Sequence, residues 1–561
     1  MPFDRELVEQ RTLRLLPRSH HRRSPPLILP KVNQRLKSQS SRVFQQNKPL
    51  ADVHIRGCSS STSRLYRPKE GGEIHGSGPD KGLDRLSKNT PLNLNLLELA
   101  HAVTQRQWTA REIAEASLSR IEDLDHSLHA FCTLDDTALE QADETDRRLS
   151  ACLPVGPLAG VPVAVKDLIC TRGMRTTFGS RLYADFVPEQ DDIVVERLRK
   201  AGATIIGKTN TSEFGYGGVG HNHVFPTTRN PWNVALTPGG SSAGSAVAVS
   251  TGMVPLALGS DGGGSIRIPA SLCGVFGMKP SWGRVPLYPS CRDPRFPGQS
   301  GWESLEHIGP MTRNAADAAL AFSAISGPSA YDRHSVPSES GDWVLGGLDT
   351  MVNVRIAYSG DLGFAIVDSE VRSVFERAIE RLRTTIGHVE CAYPAVGNTE
   401  GLLDTLVALE TDRAGLKAMT AEQGIELDGW IGSILERTWT GDQFTAAIME
   451  RKRIANLTAA FMRDFDFLLT PTTASAAFPI DTYGPDKIAG QMVSPSSWVP
   501  FSALANFTGL PAASVPIGFS QDGRPIGLQI MGRHLDDKGV LSLSAIVEKL
   551  FPQSGWSTPS V

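Results

Sequence analysis

Short apolar runs with little polar alternation recur through this chain. They are VPVAVKDLI (161–169), ATIIG (203–207), VPLALG (254–259), VRIAYSG (354–360), DFLLTP (466–471), AASVPIGF (512–519) and PIGLQIMG (525–532). A strand that is apolar on both sides needs cover on both faces, which excludes an open sheet wetted on one side. Helical patterns separate the runs. Thr109 and Glu112 form a capping box ahead of Ala114, Leu118, Ile121, Leu124 and Leu128, which recur at three- and four-residue steps. DIVVERLRKAG (192–202) reads as another helix. The alternation predicts an α/β fold: one large domain with a central twisted, mixed and mostly parallel sheet covered by helices on both faces. The last two runs flank SQDGR, whose Asp-Gly predicts an antiparallel hairpin.

Of 561 residues, 40% are hydrophobic and 21% charged, as in a globular chain. Charge is uneven. Residues 1–90 carry 18 Lys+Arg against 8 Asp+Glu, while the remainder carries 38 against 52. An acidic body argues against a nucleic-acid-binding surface. The first 90 residues, rich in Arg, Ser, Pro and Gln, are expected to be a disordered basic extension, leaving 91–555 as the folded domain. The start is Arg-rich, but Asp4, Glu6 and Glu9 depart from the acid-poor pattern of a transit peptide, and it lacks a secretory apolar core. No apolar run approaches the length of a membrane span. Seven scattered cysteines without a CxxC pair fit reduced thiols in a cytoplasmic protein better than a disulfide or zinc framework.

Three motif matches fail on context. GATIIGKT (202–209) fits a phosphate loop letter for letter, but its strand lies between the glycines instead of before them. GYGGVG (215–220) follows TNTSEF, not an apolar strand, and precedes HNHVFPTTRNP, which cannot open a helix. GSSAG (240–244) fits a nucleophile elbow centred on Ser242, yet RNPWNVALTPG cannot be the strand that must run into it.

The stretch GGSSAGSAVAVSTGMVPLALGSDGGGSIRIPA (239–270) holds six serines, no histidine and one carboxylate, Asp261. Ser241 or Ser242 is placed to cap a small-residue helix ending at Gly252. Ser265 follows Gly262, Gly263 and Gly264 where a short helix can begin. That arrangement presents a fan of backbone N–H groups, suited either to an oxyanion beside a nucleophilic Ser265 or to a bound anion. A base is not obvious. Lys166, in the middle of an apolar run, is a core-edge residue reaching solvent or, if buried among hydroxyls, a neutral amine able to take a proton.

These blocks resemble the amidase signature family, serine hydrolases with a Ser-cisSer-Lys triad. The resemblance is carried by TPGGSSAGSAVAVSTG, LGSDGGGSIRIPASLCGVFGMKPSWGRVP, PLAGVPVAVKDLI, GKTNTSEFGYG, RNPWN, HIGPMTR, FDFLLTPT and FTGLPAASVPIGF, together spanning roughly residues 92–550. It implies Lys166 as base, Ser241 as bridging serine after a cis Gly240–Ser241 peptide, and Ser265 as nucleophile. The N–H groups of Gly262, Gly263, Gly264 and Ser265 are implied as the oxyanion hole. Many members have Thr-Gly-Gly-Ser where this chain has Gly-Gly-Gly-Ser. Ser242 is expected to orient Lys166 by a hydrogen bond or to cap the helix, and Asp261 and Arg267 to form an ion pair bracing the loop.

The implied activity is hydrolysis of a carboxylic amide through a Ser265 acyl-enzyme, with no cofactor and no metal. The implied partner is a small-molecule amide, with a small or apolar acyl or aryl group suggested by the Leu, Ile, Met and Trp content of a pocket wall near 395–465. Esters and carbamates suit the same machinery. A glutamine-dependent amidotransferase component that delivers ammonia to a charged tRNA is the alternative, although SIRIPA lacks the glutamine that often follows SIR there. A homodimer is compatible with all of these readings.

Overall fold

Each apolar run named above forms a strand, and shorter strands complete the set. The computed structural model describes residues 90–337, 343–351 and 353–552. Its first strands are β1 (Phe131–Leu134), β2 (Pro162–Lys166), β3 (Thr204–Thr209), β4 (Leu256–Ser260), β5 (Phe276–Lys279) and β6 (Ile308–Thr312). There follow β7 (Ile356–Tyr358), β8 (Val389–Cys391), β9 (Phe467–Pro471), the small pair β10 (Lys487–Ile488) and β11 (Gln491–Met492), then β12 (Ala512–Phe519) and β13 (Pro525–Gly532). The expected disorder of 1–90 lies, Thr90 apart, outside the described residues. By internal contacts the chain divides into Met1–Asp80 and Lys81–Val561, and the second unit carries the whole sheet.

Eleven strands form one mixed sheet in the order β1-β3-β2-β4-β6-β5-β12-β13-β9-β7-β8. Its four parallel pairings form two blocks, β3-β2-β4 and β9-β7-β8. The six antiparallel pairings join these blocks through the centre and add β1 at one edge. The hairpin expected at 512–532 is the β12–β13 pair. Every residue of β2, β3, β4, β5, β6, β9 and β13 is buried, which requires packing against both faces of the sheet.

The helix expected after Thr109 is Ala110–Leu128, with both halves of the capping box formed: the Thr109 side chain accepts from Glu112 N, and the Glu112 side chain accepts from Thr109 N. The small-residue helix Ala243–Ser250 is small for a packing reason. A Cβ on Gly244 would stand 2.1 Å from the Ala130 carbonyl oxygen and 2.5 Å from Asn210 N. This close approach fixes the start of that helix, and with it Ser241 and Ser242, against the start of β1 and the end of β3.

Candidate active site

β2 and β4 are parallel neighbours, so their C-terminal ends lie on the same side of the sheet. β2 ends at Lys166 and β4 at Ser260. Crevices beyond such strand ends are where α/β sheets bind ligands. The Lys166 side chain is fully buried. Its Nζ lies 2.7 Å from Ser241 Oγ, 2.9 Å from Ser260 Oγ and 3.3 Å from the Ser260 carbonyl oxygen. Burial pushes this amine down to about 7, against the pull of the Glu306 and Asp261 carboxylates, which favour the cation. Of the two readings open for this lysine, the structure therefore places it among hydroxyls, away from solvent.

The Gly240–Ser241 peptide is cis, as the resemblance implied. Packing around it leaves no room for a side chain at residue 240: a Cβ there would lie 2.2 Å from the Val219 carbonyl oxygen. One residue on, Ser242 N donates to the Ser265 carbonyl oxygen at 3.1 Å. This bond brings the serine pair and the glycine loop together. The Ser265 side chain is half-buried and its hydroxyl makes no hydrogen bond to the described protein.

Ser242 departs from both expectations. Its hydroxyl neither caps the helix nor bonds Lys166. It donates to the Ser260 carbonyl oxygen at 3.1 Å and accepts from Ser260 N at 3.2 Å, because it faces the end of β4 directly. Fully buried and bonded both ways, it is poorly placed to be the nucleophile of an elbow. The phosphate-loop match fails in the same way. Lys208 is a buried strand residue held by the Ile169 carbonyl oxygen, Thr171 Oγ1 and Thr176 Oγ1.

The loop after β4 is braced by the expected ion pair, now seen to be part of a wider network. Arg267 Nη2 and Asp261 Oδ1 are 2.9 Å apart with neither side chain exposed. Arg267 also donates to the Ser502 carbonyl oxygen, Gln529 Oε1 and Asn506 Oδ1, while Asn506 Nδ2 donates back to Asp261. Burial would raise the Asp261 carboxyl, but Arg267 beside it and these hydrogen bonds hold it well below the usual carboxylate range.

That carboxylate changes the expected oxyanion hole. Asp261 Oδ1 accepts from Gly264 N at 2.7 Å and Oδ2 from Ile266 N at 3.2 Å. The Gly264 N–H is therefore already taken up. Gly264 serves the loop's shape instead, with φ +129 and a Cβ position 2.5 Å from Ser502. Among the described residues, the N–H groups of Gly262, Gly263 and Ser265 have no protein acceptor.

Several groups at the site were not singled out from sequence. Trp302, fixed by its indole N–H to the Phe214 carbonyl oxygen at 2.8 Å, lies 2.5 Å from where a Gly262 Cβ would stand. Leu403 lies 2.8 Å from the corresponding point on Gly263. Tyr216 packs on Trp302 and Trp430, and its hydroxyl is 2.7 Å from Thr411 Oγ1. Leu403, Thr411 and Trp430 all come from the segment expected to form a pocket wall. The buried Glu306 carboxyl lies against Gly262, its Oε2 3.1 Å from where a Cβ there would stand. Its only sequence signal was an acid preceding the HIGPMTR run, and no spacing connects it to Lys166.

Known proteins agree with this architecture. The family model described as Amidase matches residues 112–541. An acylamidase of Rhodococcus erythropolis is 36% identical over 469 residues, covering 82% of this chain and 96% of the relative. A component of the glutamyl-tRNA(Gln) amidotransferase of Alkaliphilus metalliredigens is 32% identical, covering 81% of this chain and 96% of its own. The crystal structure of a bacterial aryl acylamidase of the amidase signature family superposes with a TM-score of 0.74 at 30% identity, covering 82% of this chain and 97% of its own. The chain thus belongs to the amidase signature family and is an amide-hydrolysing enzyme.

Proposed function

We propose that hydrolysis runs through a Ser265 acyl-enzyme, with Ser241 as proton bridge and Lys166 as base, in the domain spanning 91–555. The observation that carries this reading is a buried lysine amine 2.7 Å from Ser241 Oγ, on a loop tied by backbone to Ser265. The neutral form of the amine accepts the Ser241 proton as Ser241 accepts that of Ser265. Ser265 Oγ then bonds the amide carbon, and the carbonyl oxygen becomes an oxyanion facing the free N–H groups of Gly262, Gly263 and Ser265. Each such donor is typically worth about 10²–10³ in rate. When the C–N bond breaks, the leaving nitrogen takes a proton from Ser241, which is refilled from Lys166. Water, deprotonated by the same relay, cleaves the ester and restores Ser265.

The substrate we infer is an amide with an apolar or aryl acyl group. Trp302 and Leu403 pack apolar surface against Gly262 and Gly263 at the Cα side, which suits such a group better than the charged ends of free glutamine. The amidotransferase reading is kept because relatives that bear that name match at 32–35% identity. Steady-state hydrolysis of an acyl anilide against free glutamine separates the two. Anilide turnover with no glutaminase activity supports the proposal, and the reverse overturns it. Among the described residues no helix is long and apolar enough to cross a membrane. Six described cysteines are free thiols, which fits the cytoplasmic setting we assign.

A further inference from the structure

The loop GYGGVG (215–220) has no dinucleotide context, and its glycines answer to packing instead. A Cβ on Gly215 would stand 3.5 Å from Ser241 Oγ, one on Gly217 3.5 Å from the Trp430 ring, and one on Gly218 2.9 Å from the Trp498 ring. The loop thus runs from the proposed proton bridge out to two tryptophans. Trp430 also packs on Tyr216, and Tyr216 on the Trp302 that lies against Gly262. The helix Gly429–Glu436, which carries Trp430, therefore closes the pocket wall beside the proposed oxyanion donors.

One residue holds both ends of this loop. Asp428, which is buried, donates its backbone N–H to Glu213 Oε2 at 2.5 Å, just before the loop. Its Oδ2 lies 3.1 Å from His221 Nε2, just after the loop. The Tyr483 hydroxyl donates to both Asp428 carboxyl oxygens, at 2.9 and 2.8 Å, and its oxygen is 3.0 Å from His221 Nε2. The single hydrogen of that hydroxyl is spent on Asp428, so its oxygen accepts from the ring, and Nε2 is the imidazole N–H. Asp428 Oδ1 also accepts from Trp430 N at 3.2 Å. Tyr483 is fixed in turn by its carbonyl oxygen, which accepts from Trp498 Nε1 at 3.1 Å.

We propose that Asp428 is a positioning residue for acyl-group selection: it clasps both ends of the glycine loop and seats Trp430 over Gly217, and so sets how far the pocket wall stands from the loop. This deepens the acyl-amide reading above and rests on it. Capping the helix Gly429–Glu436 needs only the bond to Trp430 N. The bonds to Glu213, His221 and Tyr483 do something else, since they join the helix to two other segments of the chain. Without the carboxylate, the helix start and Trp430 are free to move off Gly217. The wall then opens toward a larger acyl group, while Lys166, Ser241 and Ser265 stay on their own elements.

The test is the ratio of kcat/KM for octanoyl anilide over acetyl anilide in wild type, Asp428→Ala and Tyr483→Phe. Asp428→Ala is expected to raise the ratio about 10-fold, chiefly through a lower KM for the octanoyl substrate. Tyr483→Phe, which removes one hydroxyl from a side chain already 41% exposed, is expected to raise it about threefold. A ratio that is unmoved or lowered in Asp428→Ala overturns the inference, because a mere loss of folded protein lowers both substrates alike. If circular dichroism shows that Asp428→Ala does not fold, Tyr483→Phe decides, and an unmoved ratio there is equally contrary. A wild-type protein that turns over neither anilide sinks the acyl-amide reading, and this inference with it. Anilide turnover with the ratio unmoved in the variants sinks only the role of Asp428.

Discussion

Lys166 Nζ stands 2.7 Å from Ser241 Oγ, and neither side chain is more than 1% exposed. The amine meets a hydroxyl, not a carboxylate, at its shortest contact. Burial therefore outweighs pairing and lowers this amine to about 7, so that a substantial share of it is neutral near that pH.

The pH dependence follows with a definite sign. The proposed relay needs the neutral amine, and Lys166 is lowered to about 7. Activity is expected to be low below that pH, to rise through it, and to hold into mildly alkaline solution. The profile of kcat/KM for a neutral amide measures this. An acidic optimum would contradict a lysine base. Lys166→Met, almost the same length without the amine, is expected to lose about 10²–10⁴ in kcat.

Labelling tests Ser265 against Ser242, the serine of the rejected elbow match. A fluorophosphonate is expected to form one adduct on wild-type protein, at Ser265, and none on Ser265→Ala, as read by intact mass and peptide mapping. Ser242→Ala is expected to keep the adduct and lose stability. Removing its hydroxyl leaves the buried Ser260 N–H and carbonyl without that partner, at a cost of about 1–3 kcal/mol. An adduct on Ser242 would reverse the assignment.

The buried Arg267–Asp261 pair predicts a stability effect. Arg267→Ala leaves Asp261 charged and without its main partner, and breaking such a pair costs about 3–5 kcal/mol. A lowered thermal midpoint, together with lost labelling of Ser265, is the expected result, since Asp261 also holds the Gly264 N–H. A midpoint equal to wild type would show that the loop keeps its shape without the pair.

Leu403 predicts a change in selectivity. Its side chain lies across Gly263, so Leu403→Ala opens space next to the proposed oxyanion donors. The ratio of kcat/KM for a bulky acyl anilide over an acetyl anilide is expected to rise about 10-fold, within the range that small changes in an apolar pocket produce. An unchanged ratio would place the acyl group elsewhere.

Much of this molecule was legible in its sequence, and for local reasons. β2, β3, β4, β7, β9, β12 and β13 announce themselves as apolar runs, because a strand buried on both faces tolerates few polar residues. The capping box of Ala110–Leu128 is a four-residue signal and was read from four residues. The signature blocks carried Lys166, Ser241 and Ser265 together. β5, β6 and β8 gave weaker signals, being short and lying among glycines, prolines or charged residues.

What tertiary structure alone decided are the partners. No periodicity records that β2 and β4 run side by side, yet that pairing puts Lys166 next to Ser260, 94 residues further along the chain. The Gly264 N–H looked as free as its neighbours until the loop folded Asp261 back onto it. Ser242 looked like a cap or a ligand of the lysine, and became a clamp on the end of β4. Glu306 carries no signal in its own segment beyond its place before HIGPMTR, and lies buried with its carboxyl against Gly262. Sequence determined which groups could carry chemistry, because residue type sets what a side chain can donate or accept. Structure decided where each hydrogen bond goes, because that depends on register and loop path between segments far apart in the chain.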